Sequence, residues 1–215
     1  MKTNNDVVVV GAGGHAKVCI ESMQAMGLHV AYCVGTDPSI RKCLGVEVLL
    51  GDEQLEILRS KGYSRIFIAV GSNQLRQKLS TKVKELGYTL VNAIHPHALI
   101  SPTASIGSGV AVMAGAIVNA ESTIKDLAII NTGVTVDHDC QIGYAAHLAP
   151  QCALAGNVSV GDQAFLGVGT KVIPEMMIGE KAVLGAGSVV VSHILADAVY
   201  VGVPAKQIKT CKETK

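Results

Sequence analysis

Residues 124–148 read IKDLAIINTGVTVDHDCQIGYAAHL and place an aliphatic side chain at every sixth position. The same spacing runs without interruption from residue 100 to residue 190. Its sixteen members are Ile100, Ile106, Val112, Val118, Ile124, Ile130, Val136, Ile142, Leu148, Leu154, Val160, Leu166, Val172, Ile178, Leu184 and Val190. Six residues are too few for one unit of a helical solenoid, so the repeat predicts an all-β parallel β-helix of short strands and sharp corners.

Two other positions of the repeat are also restricted. The fourth residue after the aliphatic is usually small. The residue directly after the aliphatic is glycine at positions 107, 143, 161, 167, 179 and 185. We expect the small side chains to pack beside the aliphatics and the glycines to allow the corner backbone. The pattern resembles that of hexapeptide-repeat proteins, which implies a left-handed helix with three repeats per coil. Residues eighteen apart would then lie on neighbouring coils, about 4.8 Å from each other.

The first part of the chain has a different pattern, in which strands alternate with helices. VVVVGAGGHA, residues 7–16, is typical of a buried strand that turns through glycines into a helix. Further strands are predicted at about 31–34, 65–70 and 89–93, and helices at about 14–26, 52–61 and 73–86. We therefore predict an α/β Rossmann-like domain over residues 1–95 and the β-helix domain over residues 96–215. His95-Pro96 marks the boundary, because a residue before proline avoids the helical conformation.

The glycine turn of the first domain fits a dinucleotide fingerprint. Gly11, Gly13 and Ala16 match GxGxxA, in which a phosphate approaches the backbone at a helix N-terminus. A simple tight turn explains the same residues, and the motif does not separate the two. A second loop, GSN at residues 71–73, is expected on the same edge of the sheet. The short domain has room for one mononucleotide-binding half, which favours a nucleotide-linked ligand over the NAD of an oxidoreductase.

Composition excludes several other classes of protein. The formal net charge is +1 and no basic run interrupts the body of the chain, so nucleic-acid binding is not expected. The apolar run near the N-terminus is short and broken by glycine, which argues against a signal peptide or a membrane span. The six cysteines form no CxxC pair and predict reduced thiols in a cytoplasmic protein without a metal site. They are Cys19, Cys33, Cys43, Cys140, Cys152 and Cys211.

Two histidines lie inside the repeat, and one of them has the neighbours that a catalytic base needs. His138 precedes Asp139, and Gly156 follows His138 by eighteen residues, hence by one coil. This combination offers a base, a carboxylate that holds it basic, and an N–H group for an oxyanion. His147 lies half a coil further on. Taken singly, each histidine would be expected at an ordinary place on the protein surface. Two of them in a segment where INTGVTVDHDC replaces the usual glycine-rich spacing favour a function.

Across almost its whole length the chain resembles the bacterial family of sialic-acid O-acetyltransferases and nucleotide-4-aminosugar N-acetyltransferases. The motifs that carry the resemblance are GAGGH, IAVGSN, VNAIHPHALISPTA, INTGVTVDHDCQIG and VGVPAK. The resemblance implies that His138 is the general base and Asp139 its acidic partner, that Asn131 lies in the active-site segment and that the Gly156 amide faces the thioester oxygen. It also implies that acetyl-CoA contacts His147, Val168 and Ala186, and that the nucleotide sugar contacts Gly13, Gly14, His15, Asp37, Gly71 and Ser72.

The implied reaction moves acetyl from acetyl-CoA to the 4-amino group of a nucleotide-linked 4-amino-4,6-dideoxy sugar, for surface glycans such as lipopolysaccharide O-antigen. The family also implies a homotrimer with active sites between subunits and no metal. Gly35-Thr36-Asp37 and Ser72 depart from the pattern of UDP-sugar members, which leaves GDP-linked sugars such as GDP-perosamine, and dTDP-linked sugars, open. Two alternatives remain at this stage: O-acetylation of a sialic acid or another sugar, and a non-catalytic sugar-nucleotide sensor.

Overall fold

The computed structural model describes residues 6–210, and the chain divides after Pro96 into two compact units. In the first unit the strands are β1 (Asp6–Val10), β2 (His29–Gly35), β3 (Lys42–Cys43), β4 (Val46–Leu50), β5 (Arg65–Ile68), β6 (Thr89–Leu90) and β7 (Ala93–Ile94). Its helices are α1 (Gly14–Ala25), α2 (Gln54–Ser60) and α3 (Asn73–Glu85). The three predicted helices and the four predicted strand regions are thus present, with ends that differ by a few residues.

The first unit is built on a sheet with the order β3-β4-β2-β1-β5-β6. The pairs β4–β2, β2–β1, β1–β5 and β5–β6 are parallel, and β3–β4 is an antiparallel hairpin that the sequence pattern does not predict. β1 lies at the centre, where Val7, Val8 and Val9 are fully buried. After β1 the chain adds β2, β3 and β4 on one side of β1, and then β5 and β6 on the other side. A crevice therefore opens at the carboxyl ends of β1, β2 and β5, where sheets of this type bind ligands.

The second unit confirms the predicted β-helix. Sixteen two-residue strands, β8 to β23, each end at one of the sixteen aliphatic positions. They are Leu99–Ile100, Ser105–Ile106, Ala111–Val112, Ile117–Val118, Thr123–Ile124, Ile129–Ile130, Thr135–Val136, Gln141–Ile142, His147–Leu148, Ala153–Leu154, Ser159–Val160, Phe165–Leu166, Lys171–Val172, Met177–Ile178, Val183–Leu184 and Val189–Val190. Parallel partners lie eighteen residues apart, as in Ile117 with Thr135, so a coil has three repeats.

The strands form the three flat sides of a left-handed prism, and β24 (Ala198–Val201) and β25 (Lys206–Thr210) follow them. We call the side with β10, β13, β16, β19 and β22 face A, the side with β8, β11, β14, β17, β20 and β23 face B, and the side with β9, β12, β15, β18 and β21 face C. β24 adds to face A in parallel, and β25 pairs with β24 in the antiparallel direction. The chain runs from face A to B to C in each coil.

The predicted role of the glycines was wrong. Within residues 100–190, the residues with left-handed backbone lie three positions after the aliphatic. Five of these are glycine and nine are not: Glu121, Leu127, Asp139, Ala145, Gln151, Asn157, Gln163, Glu175 and Lys181. Glycines directly after the aliphatic, such as Gly143 and Gly161, do not have positive φ. They allow the close approach of the next coil instead, because a Cβ on Gly161 would meet the backbone N of Glu180 at 2.5 Å.

The core of the prism consists of the predicted aliphatic and small residues. Nearly all of the sixteen aliphatics are buried, and so are the small side chains beside them, including Ser122 and Thr170. The five described cysteines are free and buried, whereas Cys211 lies outside the described residues. Within residues 6–210, no helix has the length and apolar character that a membrane span requires.

Candidate active site

The His138 side chain lies at the corner between faces B and C and contacts Asp139. Its Nδ1 atom is 2.8 Å from Asp139 Oδ2, and both side chains are more than half exposed. Asp139 has a φ of 59°, a left-handed conformation that Asp tolerates better than most residues. The Asp139 N–H also donates to the carbonyl of Ala120 on the preceding coil at 3.0 Å. The geometry of the corner therefore brings the carboxylate and the imidazole together.

The electrostatic surroundings of His138 favour its protonated form. The hydrogen bond that His138 donates to Asp139, followed by the charge of Asp137, raises the pKa of His138 above its ordinary value. Asp137 itself accepts hydrogen bonds from Asn119 and from the His138 N–H, and these lower the pKa of Asp137. An imidazole with these neighbours is a stronger proton acceptor than an isolated one, which suits a general base.

Gly156 lies against the His138 ring, one coil further along the same corner. A Cβ placed on Gly156 would come within 2.5 Å of His138 Cε1, so any larger residue would displace the imidazole. Within residues 6–210, the Gly156 N–H donates no hydrogen bond. The structure thus brings three of the predicted residues together, with an N–H group available beside the imidazole for a developing negative charge.

Asn131 and His147 form a second group on face A and at its edge. The Asn131 Nδ2 atom is 3.2 Å from His147 Nε2, and the His147 ring packs edge-on against Phe165 at 5.2 Å between centroids. His147 is 9% exposed, which leaves little freedom for its imidazole. Asn131 also fixes its own carbonyl oxygen by accepting from the Thr132 N–H at 2.8 Å. Neighbouring groups therefore hold both side chains of the pair in place.

Val168 and Ala186 lie on neighbouring coils at the corner between faces A and B. Both residues are exposed, and in the described part of the chain neither backbone N–H donates a hydrogen bond. The Gly187 N–H donates to the Val168 carbonyl at 2.7 Å, which fixes the distance between the two coils. Two N–H groups one coil apart form a ladder that suits the amide carbonyls of an extended pantetheine chain. The assignment of this corner to acetyl-CoA stays a prediction.

The residues form two polar groups, one with His138, Asp139 and Gly156 and the other with Asn131 and His147. The two polar groups lie on opposite sides of the prism. His138, Asp139 and Gly156 follow strands of face B and occupy the corner between faces B and C, which is opposite face A. His147 belongs to β16 of face A, and Asn131 directly follows β13 of the same face. A single β-helix therefore does not bring all the predicted catalytic and acetyl-CoA residues into one site.

The crevice of the first unit holds a cavity of about 350 Å³ at the carboxyl edge of the sheet. Its lining includes the predicted Gly13 and Asp37, but among the described residues not the predicted Gly14, His15, Gly71 or Ser72. The complete lining is Val10, Gly11, Ala12, Gly13, Val34, Gly35, Thr36, Asp37, Ile40, Asp52, Val70, Leu75 and Leu79. Asp37 accepts from the Ser39 N–H and hydroxyl at 2.9 and 2.6 Å, and these bonds lower the pKa of Asp37. The cavity wall therefore carries a fixed negative charge.

The other loop residues lie beside this cavity and have structural contacts. Burial, followed by the charge of Arg76, lowers the pKa of His15 to about 4, so His15 is neutral at pH 7. Ser72 caps α3, with its Oγ accepting from the Leu75 N–H at 3.4 Å. The carbonyl of Gly71 accepts from the guanidinium of Arg76 at 3.1 Å. These contacts shape the loops after β1 and β5.

Several residues of the site were not predicted from the sequence. Asp137 and Asn119 meet beside His138, Phe165 packs on His147, and Arg76 is buried behind the loop after β5. The eighteen-residue spacing contains the signal for the first two contacts, because it separates Asn119 from Asp137 and His147 from Phe165. Residues 6–210 contain no cluster of three or more His, Cys, Asp or Glu side chains that could hold a metal ion.

Comparisons with known proteins identify a family model and several similar chains. The family model of the PglD N-terminal domain matches residues 6–83. The GDP-perosamine N-acetyltransferase of Escherichia coli O157:H7 is 26% identical over 173 residues, which cover 76% of each chain.

Solved structures extend the similarity to the whole chain. The crystal structure of PerB from Caulobacter crescentus in complex with CoA and GDP-perosamine is 54% identical, with a TM-score of 0.92, and covers 96% of this chain and 98% of its own. The acetyltransferase domain of PglB from Neisseria gonorrhoeae FA1090, in complex with acetyl coenzyme A, is 36% identical. Its TM-score is 0.89, over 96% of this chain and 100% of its own.

Proposed function

The chain belongs to the bacterial family of sialic-acid O-acetyltransferases and nucleotide-4-aminosugar N-acetyltransferases, and we propose that it transfers acetyl from acetyl-CoA to the 4-amino group of GDP-perosamine. The single observation that carries this choice is the 54% identity to a structure described with both CoA and GDP-perosamine. The identity extends over 98% of that chain, so it includes the nucleotide-binding unit as well as the β-helix.

In the proposed reaction the sugar amine attacks the carbonyl carbon of the thioester. A new C–N bond forms, the negative charge moves onto the carbonyl oxygen, and the Gly156 N–H donates to that oxygen. His138 accepts the proton that the nitrogen loses. The C–S bond then breaks, the amide carbonyl re-forms, and CoA leaves with the proton returned to its sulfur.

The N-terminal cavity would hold the nucleotide, with its diphosphate near the first turn of α1. The helix begins after Gly13, and in the described chain its first turn has no side-chain cap and no acidic residue, which favours an anion. The carboxylate of Asp37 on the cavity wall offers an acceptor to the N–H donors on a guanine edge. Guanine offers a carboxylate two adjacent N–H donors, N1–H and the 2-amino group, where uracil offers one, so this arrangement supports a GDP-linked sugar over a UDP-linked one.

We further propose a homotrimer in which each active site combines two subunits. His138 of one subunit would face the Asn131, His147, Val168 and Ala186 of its neighbour, because one prism holds these groups on opposite sides. The exposed His138 side chain supports this arrangement, since a partner could exclude water from it. We place the reaction in the cytoplasm, supported by the free thiols of five buried cysteines, and assign the product to surface-polysaccharide synthesis such as O-antigen.

A free-thiol assay against a panel of acceptors tests the proposal. The panel contains GDP-, UDP- and dTDP-linked 4-amino sugars, together with sialic acid as the acceptor of the O-acetylation alternative. We expect CoA release with GDP-perosamine and acetylated product at the 4-amino nitrogen by mass spectrometry. Release with sialic acid alone would assign the chain to O-acetylation, and nucleotide-sugar binding without any release would indicate a sensor.

A further inference from the structure

Asp137, which directly precedes His138, makes an unusual pair of contacts. Its Oδ1 atom accepts a hydrogen bond from the His138 N–H at 2.8 Å and another from Asn119 Nδ2 at 3.0 Å. Asn119 lies eighteen residues earlier, so its side chain reaches Asp137 from the preceding coil. One carboxylate oxygen therefore connects the backbone of His138 to a neighbouring coil.

The remaining backbone of this corner is also fixed by the preceding coil. The Ser122 hydroxyl donates to the Asp137 carbonyl at 2.7 Å and accepts from the Cys140 N–H at 3.0 Å. Ser122 is fully buried, so water does not compete for these bonds. The preceding coil thus holds residues 137–140 at two points. Ser122 bonds to their backbone, and Asn119 bonds to the Asp137 side chain, which in turn accepts from the His138 N–H.

The charges around His138 come from a small number of groups. Asp137 and Asp139 flank it on its own corner, and Glu121 lies on the preceding coil. The following coil contributes Gly156 and Asn157, which do not titrate. The charge of Asp137 is the second cause, after the Asp139 hydrogen bond, of the raised pKa of His138.

We propose that Asp137, held in place by Asn119, is a positioning residue for the acetyl transfer, orienting His138 through its backbone N–H and keeping a second negative charge beside the imidazole. This inference rests on the proposed function, in which His138 is the base. Asp139 orients the ring and Asp137 orients the segment that carries the ring. The two carboxylates therefore have separate tasks.

Asp137→Asn separates charge from geometry, because Asn keeps an acceptor oxygen of the same size and removes the negative charge. The His138 titration is followed by NMR of its imidazole, and the pH profile of kcat is measured in parallel. We expect the pKa of His138 to fall, by less than in Asp139→Asn, and the acidic limb of the profile to move to lower pH. Asp137→Ala removes the oxygen as well, and we expect kcat to fall about tenfold with each KM within about twofold.

Two further variants provide the controls. Asn119→Ala is expected to lower kcat in the wild-type background and to have no additional effect in Asp137→Ala, because both remove the same contact. Glu175→Gln removes a carboxylate from the same corner two coils beyond Asp139, about 10 Å away, and should change neither the His138 titration nor kcat. Circular dichroism and the thermal midpoint verify that each variant folds.

A His138 titration that does not move in Asp137→Asn would overturn the inference, and so would wild-type kcat in Asp137→Ala. The NMR titration reads His138 without any turnover, so it separates this inference from the proposed function. If His138→Ala kept full activity while Asp137→Asn still moved the titration, the assignment of His138 as base would fall and the electrostatic contact would stand. If only the positioning role were wrong, the His138 titration would not move in Asp137→Asn, while His138→Ala would still lose activity.

Discussion

At the scale of single residues, His138 contacts the groups that would set its proton affinity and orientation. His138→Ala removes the proton acceptor but no core side chain, because the imidazole is 60% exposed. We expect kcat to fall about 100-fold to 10,000-fold, with the thermal midpoint and the oligomeric state unchanged. Thiol release under saturating substrates measures kcat, thermal unfolding gives the midpoint, and sedimentation gives the oligomeric state. Turnover equal to wild type would remove His138 from the proposed mechanism.

Asp139→Asn tests the sign of the electrostatic contact. The carboxylate stabilises the imidazolium, so its loss lowers the pKa of His138. Catalysis requires the neutral imidazole, and the acidic limb of the rate profile should therefore move to lower pH. The plateau at high pH should also fall, because a weaker base accepts a proton less readily. An acidic limb at its wild-type position would mean that Asp139 is not coupled to the catalytic base.

The residue-scale contacts that the sequence predicts are those that depend only on coil spacing. Gly156 lies against His138 because eighteen residues separate them, and this distance follows from the repeat. The contact between Asn119 and Asp137 has the same spacing, yet exposed Asn and Asp side chains are common at corners and their residue types do not distinguish a contact from solvation. Arg76 is buried through the tertiary packing of α3, which no local pattern encodes.

At the scale of elements, the repeat predicts every strand of the β-helix but not the backbone of its corners. Nine non-glycine residues adopt left-handed backbone, at a cost of about 1 kcal/mol each, because the parallel pairing between coils fixes the turn. Local preference for glycine is overridden there. Glycine itself occupies five of the left-handed corner positions, at residues 109, 115, 133, 169 and 187. The glycines directly after the aliphatic instead permit close contact between coils, a property that depends on the neighbouring coil and not on φ.

This distinction predicts opposite outcomes for two glycine substitutions. Gly161→Ala should lower the free energy of unfolding by about 1–3 kcal/mol, because its Cβ would meet the backbone N of Glu180 at 2.5 Å. Gly169→Asn should change it by less than about 1 kcal/mol, because Gly169 has a φ of +72°, which Asn tolerates, and no atom within 4 Å. Denaturant unfolding compares the two. Equal destabilisation would contradict the assigned roles of the glycines.

Arg76 of α3 fixes the loop that follows β5. Its guanidinium donates to the carbonyls of Val70 and Gly71 at 2.9 and 3.1 Å and to Asn73 Oδ1 at 2.8 Å. Arg76→Lys keeps the charge but loses the planar fork, so the loop beside the cavity of the first unit, where we propose that the nucleotide binds, should loosen. We expect KM for the nucleotide sugar to rise about tenfold, with kcat and KM for acetyl-CoA near wild type. Lys61→Arg, on the exposed end of α2, is the matched control, and a KM rise for both substrates would indicate general damage.

At the scale of the whole molecule, the placement of the two polar groups determines how many chains make one active site. The corner with His138 and the face with His147 are separated by the body of the prism, and no side-chain rotation brings them together. A closed ring of three copies makes three equivalent interfaces, each with one contribution from either side. Two inactive variants, each damaged on a different side, should then restore activity when they assemble together.

Co-expressed His138→Ala and His147→Ala chains test this expectation. In the proposed trimer, with the two variants mixed at random, an intact site needs His138 from the His147→Ala chain and His147 from the His138→Ala chain. About one quarter of the sites should then be active. Each variant alone should show only residual turnover. The control mixes His138→Ala with Asp139→Ala, which damage the same side and cannot complement each other. If the mixed His138→Ala and His147→Ala trimers release CoA no faster than the average of the two parents, the active site lies within one chain. The second half of the site would then have to be sought among residues near His138 itself.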